Sequence, residues 1–486
     1  MPLEALLTFI GILIAAWAIA RPVQRRSLGL FVPTWILPLA CLTSLILIII
    51  RDAPFGIPAP FGWPLEVVTY LLTLGAFMIP VLATIYCGLC WHRARLTNRN
   101  TAHVEQVFQA ALREDEFDEV ERILRKKKNQ HPLEHLPASA TSVLFHPAMV
   151  GKLVGSCSLI HLELLANMGF LSALDNRLGA VDTVVRVLLR ADASPIRSAV
   201  GGQEYLRYSD SERSLMEKTF QNPVWFSTAG AYYALVVAAT EVLQKGELDI
   251  AYNKVDQNYM ATQGVSSRSR CPIYLAAKTE VLAIEAALEN KFTGTFYVEL
   301  WHYFRTIQER SKFDKAVWES SPGNWDTPTP YSYLLNEINL DHRNLSCKAL
   351  IKATSKSLPL RAEQPGNIAH WLARSWSFCI WKIARSEGQV SPGLRDQIIR
   401  EYLLFLLALN GKPSEIYAHS FEENFEENIE GLQLWRDLFL KELKERAWPL
   451  ASIERASLES ALESLDTGKH FVSEGYDWLE GKLLST

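Results

Sequence analysis

The sequence predicts an all-α protein, in which three N-terminal transmembrane helices precede a large, mostly helical cytosolic body. Three long apolar runs lie within the first 93 residues, and no run of similar length follows. The rest of the chain repeats apolar residues at helical spacing between capping residues, prolines and glycines. Only one short segment alternates in the manner of a strand. The body is therefore expected to be helical, with at most a minor β-hairpin.

The apolar runs cover residues 3–20, 31–50 and 65–90. Each is near the length that a helix needs to cross a bilayer, about 20 residues at about 1.5 Å per residue. The third run is the clearest, because its single charge, Glu66, lies at one edge, and a spanning helix tolerates Pro80. A signal peptide is the alternative for the first run, but that run lacks a basic start and a good cleavage site.

Basic residues in the loops predict the orientation of this anchor, residues 1–93. Arginines are concentrated between the first two runs and after the third, whereas the loop at 51–64 has one arginine beside Asp52. The positive-inside rule therefore places the N-terminus and that loop outside, and the C-terminal body in the cytosol of a cell (inner or plasma) membrane.

Further basic residues are candidates for contact with anionic lipid headgroups, where each charge contributes about 1 kcal/mol. An ordinary solvated helix end is the alternative for the last three. The candidates are Arg93, Arg95, Arg99, Lys126, Lys127 and Lys128.

The composition of the chain argues against several classes of function. The net charge is −4 and the isoelectric point is near 6.3, which argues against bulk binding of nucleic acid. The seven cysteines are dispersed, as in a reducing cytosol without structural disulfides. No pattern of residues predicts a cofactor or a phosphate-binding loop.

The body is predicted to form two helical domains, residues 94–320 and 331–486, joined by a loop rich in proline and glycine. A long internal loop at 320–330 is the alternative. Residues 101–128 predict two short helices that meet near 114–116, which is the form of one unit of a helical-hairpin array. No fixed repeat length supports a longer array.

Capping residues predict several helix starts: Asn222-Pro223, Asn367, Ser391-Pro392 and the capping box Ser420–Glu423. The one predicted strand pair lies between Arg197 and Tyr208, with its turn at Gly201-Gly202.

Two motifs have the residue pattern and spacing of metal sites. His131–His135 has the HxxEH pattern of zinc proteases, but Pro132 and Pro137 leave room for about one helical turn, so an exposed loop is the better interpretation. Cys87 and Cys90 have CxxC spacing without a second ligand pair, so they are interpreted as interfacial cysteines, with acylation as the alternative.

The leading functional hypothesis is a membrane-anchored helical adaptor or sensor that binds a cytosolic protein or a small ligand. Its partners are expected to be the lipid bilayer, a cytosolic protein and further copies of itself, with assembly of anchors into a membrane effector included. The aromatic residues expected to be exposed for a partner are Trp225, Phe226 and Trp325.

The alternative is a membrane-tethered enzyme that uses His161, Glu163, His302 and His370. The spacing of these residues does not support a particular reaction. A transporter is disfavoured, because the apolar runs contain no internal charged groups to form a substrate path.

Overall fold

The structure, a computed structural model, describes the chain in segments. They are residues 35–52, 64–93, 101–128, 138–156, 158–191, 194–200, 209–244, 271–290, 294–311, 330–354, 368–384, 389–408, and residues 8, 11, 292, 386, 438, 439, 441 and 442. Within these segments all regular secondary structure is helical, which confirms the all-α class.

We number the helices in chain order. They are α1 (Ile36–Asp52), α2 (Leu65–Arg93), α3 (Thr101–Glu114), α4 (Phe117–Lys128), α5 (Ala138–Leu144), α6 (Pro147–Gly155), α7 (Ile160–Leu165), α8 (Met168–Ala173), α9 (Arg177–Arg190), α10 (Pro195–Val200), α11 (Asp210–Lys218), α12 (Pro223–Ala229), α13 (Ala231–Gln244), α14 (Pro272–Glu289), α15 (Leu300–Arg310), α16 (Pro330–Thr354), α17 (Ile368–Ala384) and α18 (Pro392–Ala408).

The chain divides into two compact units, Met1–Asp175 and Asn176–Thr486. The boundary expected at 320–330 does not coincide with this division. Helices α14 and α15 precede that loop and pack against α16 and α17, which follow it, so the loop joins helices of one unit.

In the first unit, α1 and α2 pack against each other as an antiparallel hairpin. The buried seam of α1 consists of Ala40, Ser44 and Ile48, which lie one helical turn apart. Ile48 packs with the small residue Ala76 of α2. Small residues let two helix backbones approach closely, as at helix pairs in membranes.

Helix α2 satisfies the length and hydropathy of a membrane span from Leu65 to Cys87, whereas α1 is apolar but shorter. Of the first predicted run, 3–20, the structure describes only residues 8 and 11. The described residues therefore confirm one candidate span and not the predicted three. The second run begins its helix at Ile36 rather than at residue 31, with Pro38 in the first turn, where proline is tolerated.

The predicted pair of short helices in 101–128 is confirmed by α3 and α4. They meet at Asp115, whose φ of 58° lies in the left-handed region and breaks the helix. Val107 of α3 and Val120 of α4 are buried. Helix α3 packs on α5, and α4 packs on α6 and α7.

In the second unit, α14 is the central helix and contacts α9, α10, α12, α13, α15, α16 and α17. The pair α12–α13, bent by 62° at Gly230, also has the composition of a membrane span. Its residues are core residues of this unit, however. Trp225 and Phe226 are completely buried, and Phe226 stacks on Phe296 at 5.4 Å between ring centroids.

The expectation that Trp225 and Phe226 are exposed is therefore wrong. Asn222 caps α12 as predicted, since its side chain accepts the Val224 and Trp225 amides. In the helix that begins at this cap, both aromatic rings lie in the core.

The predicted β-hairpin is wrong over its first part, because α10 takes residues up to Val200 into a helix. Pro195, at the first helical position, fixes φ near its helical value. Ser194 supplies the carbonyl that accepts the Ser198 amide. Gly201 and Gly202 lie outside the described residues, as does the predicted capping box at Ser420–Glu423.

Candidate functional site

The N-terminal end of α15 meets α14 and α17 inside the second unit. The first amides of a helix have no acceptor within the helix, so a buried helix start needs acceptors from elsewhere. The N-cap residue, Glu299, makes no side-chain cap. Neighbouring helices therefore have to supply the acceptors.

Two side chains from those helices cap α15. Glu280 of α14 is completely buried, and its Oε1 accepts the Glu299 amide at 2.5 Å. Ser375 of α17 is also completely buried, and its Oγ accepts the Trp301 amide at 3.1 Å. A carboxylate and a hydroxyl from two different helices thus satisfy amides that α15 leaves open.

The Ser375 hydroxyl continues this network to α16. His342 Nδ1 lies 2.8 Å from the Ile338 carbonyl oxygen, and its Nε2 lies 2.8 Å from Ser375 Oγ. A carbonyl oxygen can only accept, so Nδ1 carries the proton and Nε2 accepts the serine hydrogen. Burial lowers the pKa of His342 to about 4, which keeps the imidazole neutral at pH 7.

A serine bonded to a neutral imidazole is also the arrangement of a nucleophile and its general base. Here both side chains are completely buried, and the Trp301 amide already occupies the serine oxygen. A substrate cannot reach the hydroxyl in this conformation. The contact instead ties α15, α16 and α17 together.

Acidic groups surround the same helix end. Burial raises the pKa of Glu280 well above its ordinary value and outweighs the hydrogen bonds from the Glu299 amide, Tyr303 and the Leu300 amide, which lower that pKa. Burial also raises the pKa of Glu299 to about 7, although Trp301 and Arg374 oppose the rise. Burial and the two carboxyl groups together raise the pKa of Tyr303. The site therefore retains protons that exposed carboxyl groups lose below pH 5.

Ion pairs join the neighbouring surfaces of α14 and α16. Lys278 Nζ lies 2.5 Å from Asp341 Oδ1 and 3.2 Å from Glu337 Oε2. Burial lowers the pKa of Lys278, but the two acids outweigh it and raise that pKa. Burial raises the pKa of Asp341 to about 6. Lys348 and Glu285 form a further bridge between the same helices.

Aromatic side chains pack next to this network, between α17 and α18. Trp376 follows Ser375 and is completely buried; its Nε1 donates to Asn339 Oδ1 at 2.9 Å. Its ring packs against Tyr402 and Phe405 of α18, each at 5.0 Å between centroids. Trp376 is therefore a core residue of the second unit.

The residues proposed for an enzyme are divided between the two units, and each has a local partner. His161 and Glu163 belong to the first unit, whereas His302 and His370 belong to the second. His161 is buried with Nε2 2.9 Å from the Leu144 carbonyl oxygen, and burial lowers its pKa to about 4. His302 lies 3.2 Å from Glu299, between Nε2 and Oε2.

The two remaining members of that set also have local partners. Glu163 Oε1 lies 3.9 Å from Arg125 Nη1, and His370 Nδ1 lies 3.5 Å from Glu442 Oε1. Each of these contacts links neighbouring helices or segments.

The membrane-surface candidates are only partly described. Helix α2 ends at Arg93, and α4 continues through Lys126 and Lys127 to Lys128, although the side chains of these four residues are not described. Arg95, Arg99, Trp325 and the segment His131–His135 lie outside the described residues. Among the described side chains, no group of three or more histidines, cysteines and acids is placed to hold a metal ion.

Sequence reasoning missed Glu280, Ser375 and His342. Glu280 and Ser375 are polar residues within helices whose other residues are largely apolar, and that contrast was the available signal. His342 lies in α16, which mixes polar and apolar residues and gives no such contrast. No protein family, curated protein or solved structure matches this chain.

Proposed function

We propose that this protein is a membrane-anchored helical adaptor or sensor. The α1–α2 hairpin, together with the apolar run at 3–20, holds the chain in a cell membrane with the N-terminus outside. The helical body lies in the cytosol, where it binds a protein or a small ligand. Copies of the chain assemble through their anchors.

The observation that carries this proposal is the outward face of the hairpin. In the apolar window of α2, 17% of the residues are buried, whereas a core helix of a soluble protein is mostly buried. Apolar side chains point away from the α1 seam along the whole helix. They include Leu65, Tyr70, Leu74, Phe77, Leu82, Ile85 and Leu89. An exposed apolar surface of this extent needs lipid or another apolar cover.

The hydroxyl groups of the hairpin support the same environment. Thr69, Thr73 and Thr84 of α2 each donate to the carbonyl oxygen four residues earlier, at 2.8 Å. Ser44 of α1 donates to Ala40 in the same way. In a bilayer core no water is available, so each polar group has to be satisfied within the protein.

The anchor is tested by extraction of membranes with alkaline carbonate. The full chain is expected to stay in the membrane pellet. Leu74→Lys combined with Leu82→Lys places two charges on the outward face, where each costs about 2.5–3.5 kcal/mol at mid-bilayer, and is expected to move protein out of the pellet. The matched control is Val224→Lys, since Val224 is a similarly exposed apolar residue in the body. Release of the unaltered chain by carbonate would contradict the anchor.

The orientation is tested by protease treatment of sealed membrane vesicles of both orientations. The body is expected to be degraded only when the cytosolic face is outward. Degradation in vesicles of the opposite orientation would invert the proposed topology.

The adaptor role is tested by chemical cross-linking in intact cells followed by mass spectrometry of the purified full chain. We expect cross-links from lysines of the body to one cytosolic protein, at constant stoichiometry, and cross-links between copies of the anchor. Cross-links confined to the chain itself would contradict the adaptor role.

A further inference from the structure

The described side chains of α17 that reach the protein surface are all aromatic or basic. They are His370, Trp371, Arg374, Phe378, Trp381 and Lys382. The last five recur at three- and four-residue spacing, so they lie on one face of the helix, over about 17 Å of its length. We call these five residues the α17 stripe.

Each cation of the α17 stripe lies over an aromatic ring. The Arg374 guanidinium carbon is 5.0 Å from the centroid of the Trp371 ring. Lys382 Nζ is 5.2 Å from the centroid of the Trp381 ring and 5.7 Å from that of Phe378. Cation–π contacts at these distances hold a cation in place without neutralising its charge.

No acid in the described part of the chain forms an ion pair with either cation. Lys278 has two acids within ion-pair distance, whereas Arg374 and Lys382 have none. Arg374 acts on Glu299 only from beyond that distance, and Glu299 Oε2 lies 3.2 Å from His302 Nε2. The stripe therefore presents two positive charges for which the described residues supply no paired counter-charge.

The rings of the α17 stripe are fixed by their contacts with other rings. Trp371 packs against Tyr297 at 4.9 Å between centroids, and Phe378 packs against Trp301 at 4.5 Å and Trp381 at 5.3 Å. Rigid aromatic side chains lose little conformational entropy on binding, and tryptophan, tyrosine and arginine supply much of the binding energy of protein interfaces. The stripe thus combines positive charge with rigid apolar area.

The charge of the stripe favours an anionic partner, and the exposure of its rings distinguishes a lipid surface from a protein. Side chains that insert into a bilayer project from the surface, as Tyr70 of α2 does with 66% exposure. The three rings of the stripe are half-buried, so they form a surface on which the side chains of a partner can pack. Next to the stripe, His370 already pairs with an acid of the chain, since its Nδ1 lies 3.5 Å from Glu442 Oε1.

We propose that the α17 stripe is the docking surface for an acidic segment of a cytosolic protein. Apolar side chains of that segment pack on the three rings, and its carboxylates pair with Arg374 and Lys382. The inference rests on the proposed adaptor role and names the chemistry of the partner that the body binds.

The test is binding of a fluorescent synthetic peptide to the full chain in a non-ionic detergent, measured by fluorescence anisotropy. The probe is a peptide of about 12 residues, matched to the length of the stripe, in which glutamates alternate with phenylalanine and leucine. The same peptide with glutamine in place of glutamate is the uncharged comparison, and detergent without protein gives the baseline. We expect the acidic peptide to bind at least about tenfold more tightly, and its binding to weaken as salt is added.

Variants assign the binding to the stripe. Arg374→Glu reverses an exposed charge and is expected to weaken binding of the acidic peptide by about tenfold or more. Arg374→Glu combined with Lys382→Glu is expected to bind a lysine version of the peptide instead. The matched control is Lys218→Glu, which makes the same charge change at an exposed position of α11 and is expected to bind like the unaltered chain.

The aromatic part is tested by Trp371→Leu, which keeps apolar volume and removes the ring. It is expected to weaken binding of the acidic and the glutamine peptides alike, because both pack on the ring. Thermal unfolding followed by circular dichroism establishes that each variant is folded, and Arg374→Glu decides alone if Trp371→Leu is not.

Equal binding of the acidic and glutamine peptides to the unaltered chain would overturn the proposal. So would an Arg374→Glu variant that binds like Lys218→Glu. Binding of mixed micelles containing phosphatidylserine that depends on Arg374, without binding of the acidic peptide, would assign the stripe to lipid and overturn it as well. Cross-links to a cytosolic protein in cells, together with no peptide binding, would reject the stripe and leave the adaptor role standing, so the two failures are distinguishable.

Discussion

The α1–α2 hairpin and the helices around α14 distribute polar and apolar groups in opposite ways. In the hairpin, the Ser44 and Thr69 hydroxyls bond within their own helix and many apolar side chains face outward. Around α14, Glu280 and Ser375 lie inside and bond between helices. The difference supports the proposed membrane anchor, because polar groups in lipid have to be satisfied locally, whereas a protein core in water can enclose a polar network between helices.

The largest expected change in the free energy of unfolding is for replacement of a core aromatic residue, in contrast to an outward-facing one. Trp376→Ala empties a completely buried site and leaves Asn339 without its donor, so we expect a loss of about 3–5 kcal/mol in the free energy of unfolding of the second unit. Phe77→Ala, on the outward face of α2, is expected to change the free energy of unfolding of the first unit by less than about 0.5 kcal/mol. Hydrogen exchange of α14 amides measures the first effect, and hydrogen exchange of α2 amides measures the second. Equal effects would remove the contrast between the two regions.

The next largest expected effect is a loss of folding stability at acidic pH. The pKa of His342 is about 4 in the folded protein and near 6.5 when unfolded. The unfolded state therefore binds the proton first as the pH falls, and stability is lost between pH 6.5 and pH 4. The shift corresponds to a loss on the order of 3 kcal/mol.

His342→Gln is expected to remove that part of the acid sensitivity, although it lowers stability at pH 7. Urea unfolding of the full chain at pH 7 and at pH 4.5 measures the difference. His161 in the first unit has the same shift and is the internal comparison, because it should keep its contribution in the variant. Unchanged acid sensitivity in His342→Gln would contradict the neutral, buried imidazole.

A smaller loss of stability is expected when a single hydroxyl group is removed. Ser375→Ala leaves the Trp301 amide and His342 Nε2 without partners inside the core, so we expect a cost of about 1–3 kcal/mol. Thr69→Ala removes a hydroxyl that donates to the Leu65 carbonyl oxygen of its own helix, and its expected cost is within about 0.5 kcal/mol. Thermal unfolding followed by circular dichroism compares the two. A Thr69→Ala cost as large as that of Ser375→Ala would show that the hairpin hydroxyl does more than bond locally.

The smallest expected changes in stability are those for replacement of two glycines by alanine. Gly230 ends α12 with φ of 65°, and a Cβ there would lie 2.6 Å from Leu178, so Gly230→Ala is expected to cost about 1–2 kcal/mol. In α2, a Cβ on Gly75 would lie 3.6 Å from Leu47, an ordinary contact, so Gly75→Ala is expected to gain up to about 1 kcal/mol of helix propensity. Thermal unfolding separates the signs. A destabilised Gly75→Ala would indicate a tighter hairpin seam.

Much of the local structure followed from the sequence. Residues 101–128 specified α3, α4 and the break between them through periodicity alone. Ser391 specified the start of α18, where its hydroxyl accepts the Leu394 amide at 3.3 Å. Asn222 specified the start of α12. These signals are local, because a cap and the turn that it begins lie within four residues.

The exposure of a side chain was not predictable in the same way. Trp225 and Phe226 follow a correctly predicted cap, yet their burial depends on α9 and α14, which pack around α12. The domain boundary expected at 320–330 stays a prediction, because proline and glycine mark a loop without indicating whether the helices on either side pack together.

The sequence by itself determined the all-α class, several helix ends and the apolar character of the N-terminal region, because propensity, capping and hydropathy act over short distances. The capping network of α15 was decided only by tertiary structure. Glu280, His342 and Ser375 are far apart in the chain, and their roles arise when α14, α16 and α17 converge on one buried helix end. Burial then sets which groups hold a proton, and burial is a property of the packed helices rather than of any one segment.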